Sequence, residues 1–203
     1  MLPAADLDGK VDVLDTRQRI LAATRALYST KGSRGTTTRQ VADRAEVNEA
    51  TVFRHFGTKQ QLLAAMLDHY NAETSFPEAL DNVRRCATVD EQLRLLGQYA
   101  VDAVRRKEDL IKIAMAEELA NPEGTTCAWR IPTATRVRVS SFFAEKVAAG
   151  ELRGDPNLLG CAFMSLFFSY VMARTLWVEL DETPQEQIVA AMVAIFLNGA
   201  RAS

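Results

Sequence analysis

One short stretch of the chain, residues 36–59, carries many side chains that can form hydrogen bonds or ion pairs. They are hydroxyl, amide, guanidinium, imidazole and ammonium groups. Thr37 and Gln40 have the spacing of a capping box, in which the hydroxyl accepts a backbone N–H and the amide reaches back. Asn48 is a favourable N-cap for a second helix, and Gly57 is suited to follow its last turn. The stretch is therefore predicted to form two short helices joined by a tight turn.

A longer helix precedes this stretch and gives the two short helices a partner. It is predicted from about residue 15 to residue 31, with Ile20 on its apolar side and Gly32 at its end. Helices as short as the two that follow are not stable alone. Three helices in this order are the layout of a helix-turn-helix unit, whose last helix enters the major groove of DNA.

Several side chains in the stretch have the chemistry that a duplex requires. Thr37 and Thr38 lie at a helix N-terminus, which favours phosphate, although Thr37 also serves as a plain cap. Arg39, Thr51 and Arg54 are candidates for base edges or phosphates, and an arginine suits guanine. A solvated helix face is the alternative for both arginines.

Two further basic side chains are candidates for the DNA backbone. His55 is predicted to bind phosphate through a ring N–H, with packing against the first helix as an equally common role. Lys59 follows Thr58, the N-cap of the next helix, and is interpreted as a backbone clamp. Phe56 is assigned to the core.

Composition and charge are those of an ordinary soluble protein with a basic N-terminal quarter. Of the 203 residues, 48% are hydrophobic and 25% are charged, and the formal net charge is −2. Residues 10–60 carry 10 Lys and Arg against 5 Asp and Glu, whereas residues 61–203 carry 14 against 19. This split is typical of a nucleic-acid reader with a separate body, although chance clustering of solvated charges gives the same pattern.

The sequence shows no pattern typical of a membrane span, a secretory signal or a metal site. It has no run of about 18 apolar residues, and residues 1–12 lack the apolar segment of a signal peptide. Cys86, Cys127 and Cys161 are scattered, and His55 and His69 do not complete a familiar metal spacing with them. We therefore expect a cytoplasmic protein with no cofactor and no metal.

The remainder of the sequence is predicted to be helical throughout, with no convincing strand. Thr88 and Glu91 form a capping box, Asp155 precedes a proline at the first helical position, and Thr183 caps a last helix. The fold class is therefore all-α, with an N-terminal three-helix helix-turn-helix reader and a C-terminal helical bundle.

Two helices near the C-terminus are too apolar to be covered by so small a chain. The one from about Leu158 to Trp177 is apolar nearly all round, and the one from Thr183 to Gly199 carries another apolar stripe. We predict a homodimer in which these helices form a four-helix interface. The alternative is a central helix buried within a monomer.

These features together resemble the TetR family of bacterial transcriptional regulators. The resemblance is specific over about residues 17–63, and its main carriers are Thr37, Val41, Ala42, residues 45–48, residues 51–56, Lys59, Leu62 and Leu63. It implies nine helices, three in a DNA-binding domain at residues 10–57 and six in a ligand-binding and dimerisation domain at residues 58–203. It also implies a repressor that a small molecule releases from DNA.

The second short helix departs from the family pattern at its start. Where the family often has Ser, Lys and Gly, this chain has Asn48, Glu49 and Ala50, and Phe53 replaces a usual Tyr. Glu49 would repel phosphate or accept from a cytosine amino group, but stabilisation of the helix N-terminus is favoured. Phe53 retains ring contact with sugar or a thymine methyl. The candidate DNA contacts are Thr37, Thr38, Arg39, Asn48, Glu49, Ala50, Thr51, Phe53, Arg54, His55 and Lys59.

Aromatic and large apolar side chains between the body helices indicate a largely apolar effector pocket. Ordinary core packing is the alternative for each of them, and Glu117 and Glu118 are assigned to solvated surface rather than to a cationic ligand. The candidate ligand-binding residues are Phe76, Tyr99, Met115, Trp129, Phe142, Phe143 and Phe167.

The sequence therefore predicts a ligand-responsive repressor whose two readers lie about 34 Å apart on a near-palindromic duplex. Effector binding would tilt the helix that begins at Thr58 and change that spacing. Two other classes stay open. A small enzyme would need paired carboxylates, a Cys–His pair or a glycine-rich loop, none of which occurs at usable spacing. A helical interaction module would use the basic quarter to bind an acidic protein.

Overall fold

The computed structural model describes residues 15–72, 76–120, 133–173 and 183–200, and its regular elements are α-helices. Their bounds are α1 Thr16–Gly35, α2 Thr38–Arg44, α3 Glu49–Phe56, α4 Lys59–Ala72, α5 Phe76–Arg84, α6 Val89–Arg106, α7 Glu108–Ala120, α8 Thr133–Ala148, α9 Pro156–Ala173 and α10 Gln185–Ala200. The all-α fold with an N-terminal helix-turn-helix is confirmed. The chain divides into two compact units, residues 1–66 and 67–203, and the predicted domains 10–57 and 58–203 stay predictions.

Ten helices in the described ranges exceed the nine that the resemblance implies, because a separate short helix, α5, follows α4. Its second residue is Pro77, and proline is tolerated in a first helical turn because the N–H it lacks would have no intrahelical partner. Ala79, Leu80 and Val83 of α5 are buried, so packing stabilises a helix too short to persist alone.

The first unit is a three-helix arrangement completed by the start of α4. The carboxylate of Asp15 accepts the N–H of Gln18 at 2.7 Å, and the Gln18 side chain accepts the N–H of Asp15 at 3.0 Å, which caps α1. Gly32, predicted to end α1, has φ of 66° and interrupts the helix, which continues for another turn to Gly35. The buried side chains include Ile20, Leu21, Leu27, Tyr28, Val41, Ala42, Val52, Phe56, Leu62, Leu63 and Met66.

In the second unit α6 packs against α5, α9 and α10, while α8 packs against α9. A Cβ on Gly97 of α6 would lie 2.6 Å from Phe167 of α9 and 2.9 Å from Val189 of α10, so glycine permits the close approach of three helices. Arg84 of α5 donates two hydrogen bonds to Glu145 of α8, at 3.1 and 2.9 Å. Hydrogen bonding to Glu145 raises the pKa of Arg84.

The helix α9 is far more apolar than its burial explains. Among the described residues, it alone has the length and composition to cross a membrane, with a mean hydropathy of 1.4. That is weak evidence of a membrane span, because a helix that lies in a protein interior passes the same test. Only 28% of these residues are buried within the chain, and Leu158 is 70% exposed.

Candidate nucleic-acid interface

Two side-chain caps position α2 and α3, as the sequence predicts. The hydroxyl of Thr37 accepts the N–H of Gln40 at 3.2 Å, and the Gln40 side chain accepts the N–H of Thr37 at 3.1 Å. Asn48 Oδ1 accepts the N–H of Thr51 at 2.7 Å and the hydroxyl of Thr51 at 2.8 Å. The hydroxyl of Thr51 therefore donates its proton to Asn48, and its oxygen can only accept a hydrogen bond from a ligand.

The turn between α2 and α3 is tight. Glu46 has φ of 55°, and the N–H of Val47 donates to the carbonyl oxygen of Ala42 at 3.0 Å. The left-handed backbone of Glu46 turns the chain within the few residues that join α2 to α3. This turn sets the relative direction of α2 and α3.

The helix α3 has a buried face and an exposed face. Val52 and Phe56 are buried, which fixes the helix on the unit. Ala50, Phe53 and Arg54 are exposed, at spacings of three and four residues that place them on one side. Phe53 is 48% exposed. An apolar ring and a guanidinium are side-chain types suited to base edges in a major groove, and a contact of Phe53 or Arg54 with DNA stays a prediction.

The first residues of α2 and α3 are joined by a hydrogen bond. Thr38 Oγ1 donates to Glu49 Oε1 at 2.6 Å, and both residues are half-buried. The sequence did not predict this contact, because it joins residues eleven positions apart on two different helices. Glu49 therefore has a fixed partner besides the helix dipole.

Arg17 is a basic residue that the sequence alone did not identify as a candidate. Its guanidinium carbon lies 5.2 Å from the centre of the Phe56 ring, a cation–π contact at the last residue of α3. The His55 ring lies 6.0 Å from the same ring. Arg17 and His55 are exposed, so two basic side chains flank the C-terminal end of α3. The sequence signal was a basic residue in the first turn of α1.

Lys59 makes a contact inside the unit. Its Nζ donates to the carbonyl oxygen of Ser33 at 2.5 Å and lies 5.9 Å from the centre of the Tyr28 ring. The ammonium thus satisfies a carbonyl at the end of α1, where a positive charge is favourable. A contact between Lys59 and a DNA phosphate stays a prediction. It requires that Nζ reach the phosphate as well as the carbonyl oxygen of Ser33. Arg39 is exposed on α2.

The predicted effector residues fall into three groups. Phe142, Phe143 and Phe167 are fully buried, and Phe142 and Phe143 have ring centres 5.4 Å apart. Met115 is 39% exposed, and Tyr99 accepts a weak hydrogen bond from Asn82 at 3.5 Å. Trp129 and the side chain of Phe76 lie outside what the structure describes. A role of any of them in ligand binding stays a prediction.

Glu117 is not on the solvated surface where the sequence placed it. It is only 7% exposed and follows Leu110, Ile113 and Ala114 on the buried side of α7. The assignment to the surface rested on its charge and was wrong. Carboxylates are rarely buried in proteins. The burial of Glu117 shows that this side of α7 faces the protein interior.

Comparison with known proteins covers both units. Residues 20–66 match the family described as bacterial regulatory proteins, tetR family, and residues 91–199 match the C-terminal domain of AefR-like transcriptional repressors. The HTH-type transcriptional regulator YvkB of Bacillus subtilis is 27% identical over 186 residues, 91% of this chain and 96% of that protein.

A relative and a solved structure add to these matches. The HTH-type transcriptional repressor Rv3405c of Mycobacterium tuberculosis is 50% identical over 50 residues, 25% of this chain and 27% of that protein. The crystal structure of AibR in complex with isovaleryl coenzyme A and operator DNA has a TM-score of 0.64 and 21% identity, and the likeness covers 89% of this chain and 97% of that one.

Proposed function

The chain belongs to the TetR family of bacterial transcriptional regulators, and we propose that it is a repressor that binds a near-palindromic operator as a homodimer. A small, mostly apolar molecule that binds the helical body releases it. The proposal rests mainly on the exposed side of α3, which carries Phe53 and Arg54. The opposite side of the same helix is buried at Val52 and Phe56 and holds α3 in place.

In this proposal α3 lies in the major groove. Arg54 donates to a base, most favourably to guanine O6 and N7, and Phe53 contacts a sugar or a thymine methyl group. Ala50 on the same side permits close approach of the helix backbone. These residues supply sequence preference.

Basic and hydroxyl side chains around α3 position it through phosphates, which fixes the register without reading sequence. Arg39 and the N-terminal end of α2 at Thr37 face one part of the backbone. Arg17 and His55, both close to the Phe56 ring, face another. Lys59 adds a third contact near Ser33.

The dimer is formed by α9 and α10. Cys161, Ser165 and Ser169 of α9 are exposed at four-residue spacing, where small side chains allow another helix to approach closely. Leu158 is 70% exposed and Ile195 of α10 is 67% exposed. A second copy that covers these side chains removes apolar surface from water on both chains.

Effector release is a bias between two states. AibR is described in complex with isovaleryl coenzyme A and operator DNA, which is a precedent for a fold of this kind that binds both. A ligand relieves repression only if it binds more tightly to a state of the dimer in which the spacing of the two helix-turn-helix units does not match the operator. We also propose that the protein has no catalytic role and acts in the cytoplasm, where bacterial DNA lies.

Selection of tight-binding duplexes from a random pool tests the proposal. The expected consensus has two inverted half-sites one helical turn apart, and Arg54→Ala relaxes preference at one position of each. The matched control is Arg106→Ala, which removes an exposed arginine from the body helix α6. It should leave the consensus unchanged.

Two outcomes would oppose the proposal. Binding to all duplexes alike, with strong salt dependence, would indicate an interaction module that uses its basic unit without reading sequence. An unchanged consensus with Arg54→Ala would remove that residue from the base contacts.

A further inference from the structure

The carboxylate of Glu49 is the one acidic group held at the start of α3 in the described structure. It is the first residue of that helix, and its Oε1 accepts the Thr38 hydroxyl at 2.6 Å. The N-terminal residues of a recognition helix are those that reach base edges. When α3 lies on DNA, a carboxylate fixed in this place is close to phosphates, which repel it.

Capping does not explain this arrangement. Asn48 already caps α3 by accepting the N–H and the hydroxyl of Thr51. Interaction with the helix dipole requires only a nearby charge and no bond to another helix. The bond to Thr38 orients the carboxylate through Oε1, and Oε2 of this half-buried residue is not among the enclosed side-chain oxygens without a partner in the described residues.

The chemistry of a carboxylate restricts what it can bind. It accepts hydrogen bonds and donates none, so it is repelled by phosphates and by the acceptor atoms of bases. In the major groove only the cytosine N4 and adenine N6 amino groups donate. Adenine places the acceptor N7 beside its amino group, whereas cytosine presents no acceptor of its own there. Cytosine is therefore the favoured partner.

We propose that Glu49, oriented by Thr38, selects a cytosine at one position of each operator half-site. Oε1 stays on the Thr38 hydroxyl while Oε2 accepts from the cytosine amino group. Thr38 is a positioning residue in this scheme. The inference rests on the proposed function, since it requires α3 to lie in the major groove.

Duplex selection with variants of the full-length protein tests the inference. Wild-type protein should prefer cytosine at one half-site position by about ten-fold. In Glu49→Gln the amide oxygen can keep the Thr38 bond, and the amide nitrogen then presents donors. The cytosine preference should be lost in favour of a base with an acceptor there, while the Arg54-dependent position is unchanged. Glu46→Gln, an exposed carboxylate in the turn, is the matched control and should not alter the consensus.

Thr38 variants separate positioning from simple stability. Thr38→Val should reduce cytosine discrimination several-fold without changing the rest of the consensus, and Thr38→Ser should restore it. Thermal unfolding of each variant shows whether the protein remains folded. Glu49→Ala, which removes both oxygens, should also lose the cytosine preference and serves as a second variant if Glu49→Gln is unstable.

The possible results distinguish this inference from the proposed function. If Glu49→Gln binds every duplex more tightly with the same consensus, Glu49 only repels phosphate and the inference is wrong. If Thr38→Val keeps full discrimination, the positioning role is wrong. If wild-type protein selects no duplex, the proposed function itself fails and the inference fails with it.

Discussion

Substitution of Gly97 by alanine tests how closely α9 and α10 approach α6. A methyl group at this position of α6 would lie 2.6 Å from Cζ of Phe167 and 2.9 Å from Cγ1 of Val189. Both neighbours are buried, and the Phe167 ring lies 5.0 Å from the Phe163 ring, so neither side chain moves freely. One of the three helices must shift.

Two opposing effects set the magnitude. Alanine in a helix interior is more stable than glycine by about 0.5–1 kcal/mol. Insertion of a methylene or methyl group into a well-packed core costs about 1–3 kcal/mol. Because both contacts are shorter than 3.0 Å, the packing cost prevails. We expect Gly97→Ala to lower the free energy of unfolding by about 1–2 kcal/mol.

Urea denaturation at a fixed protomer concentration measures this effect, since the stability of a dimer depends on concentration. Phe167→Leu is the control background, because it removes the nearer contact. The cost of the methyl group should be smaller in that background than in wild-type protein. A Gly97→Ala protein as stable as wild type, or an equal cost in both backgrounds, would refute the close approach.

Three further predictions concern the reader and the dimer. Arg17→Ala should weaken binding to all duplexes alike and reduce the slope of log affinity against log salt by about 1, with no change of consensus in a titration at several salt concentrations; a changed consensus would make Arg17 a base contact. Leu158→Glu or Ile195→Glu should convert dimers to monomers in sedimentation experiments and weaken operator binding, because each introduces a charge on an apolar interface; intact dimers would place the interface elsewhere. Asn48→Ala should destabilise the protein by about 1 kcal/mol in thermal unfolding, since Thr51 loses its cap, and an unchanged stability would contradict that role.

Local features of the reader were predictable from sequence. The caps at Thr37 and Asn48 depend on side chains three residues apart, and such short-range geometry is the same wherever a helix begins. The interruption of α1 at Gly32 follows in the same way from the conformational freedom of glycine. The helix-turn-helix could therefore be located from residue types and spacing alone.

Contacts between helices were not predictable in this way. The Thr38–Glu49 hydrogen bond and the position of Arg17 over Phe56 depend on how α1, α2 and α3 cross, which spacing along the chain does not encode. Glu117 was assigned to the surface because of its charge, but it is buried in the structure. The sequence indicated only a short turn of helix up to about Arg85, where the structure has the full helix α5, because the stability of that helix comes from packing rather than from intrinsic propensity.

Hydroxyl-radical footprinting of the protein on its selected operator shows whether two copies of α3 occupy successive major grooves. We expect two protected patches on one side of the duplex, with centres about 10 base pairs apart, and two protomers bound per duplex or a multiple of two. A single patch bound by one protomer, or protection without this repeat, would contradict it.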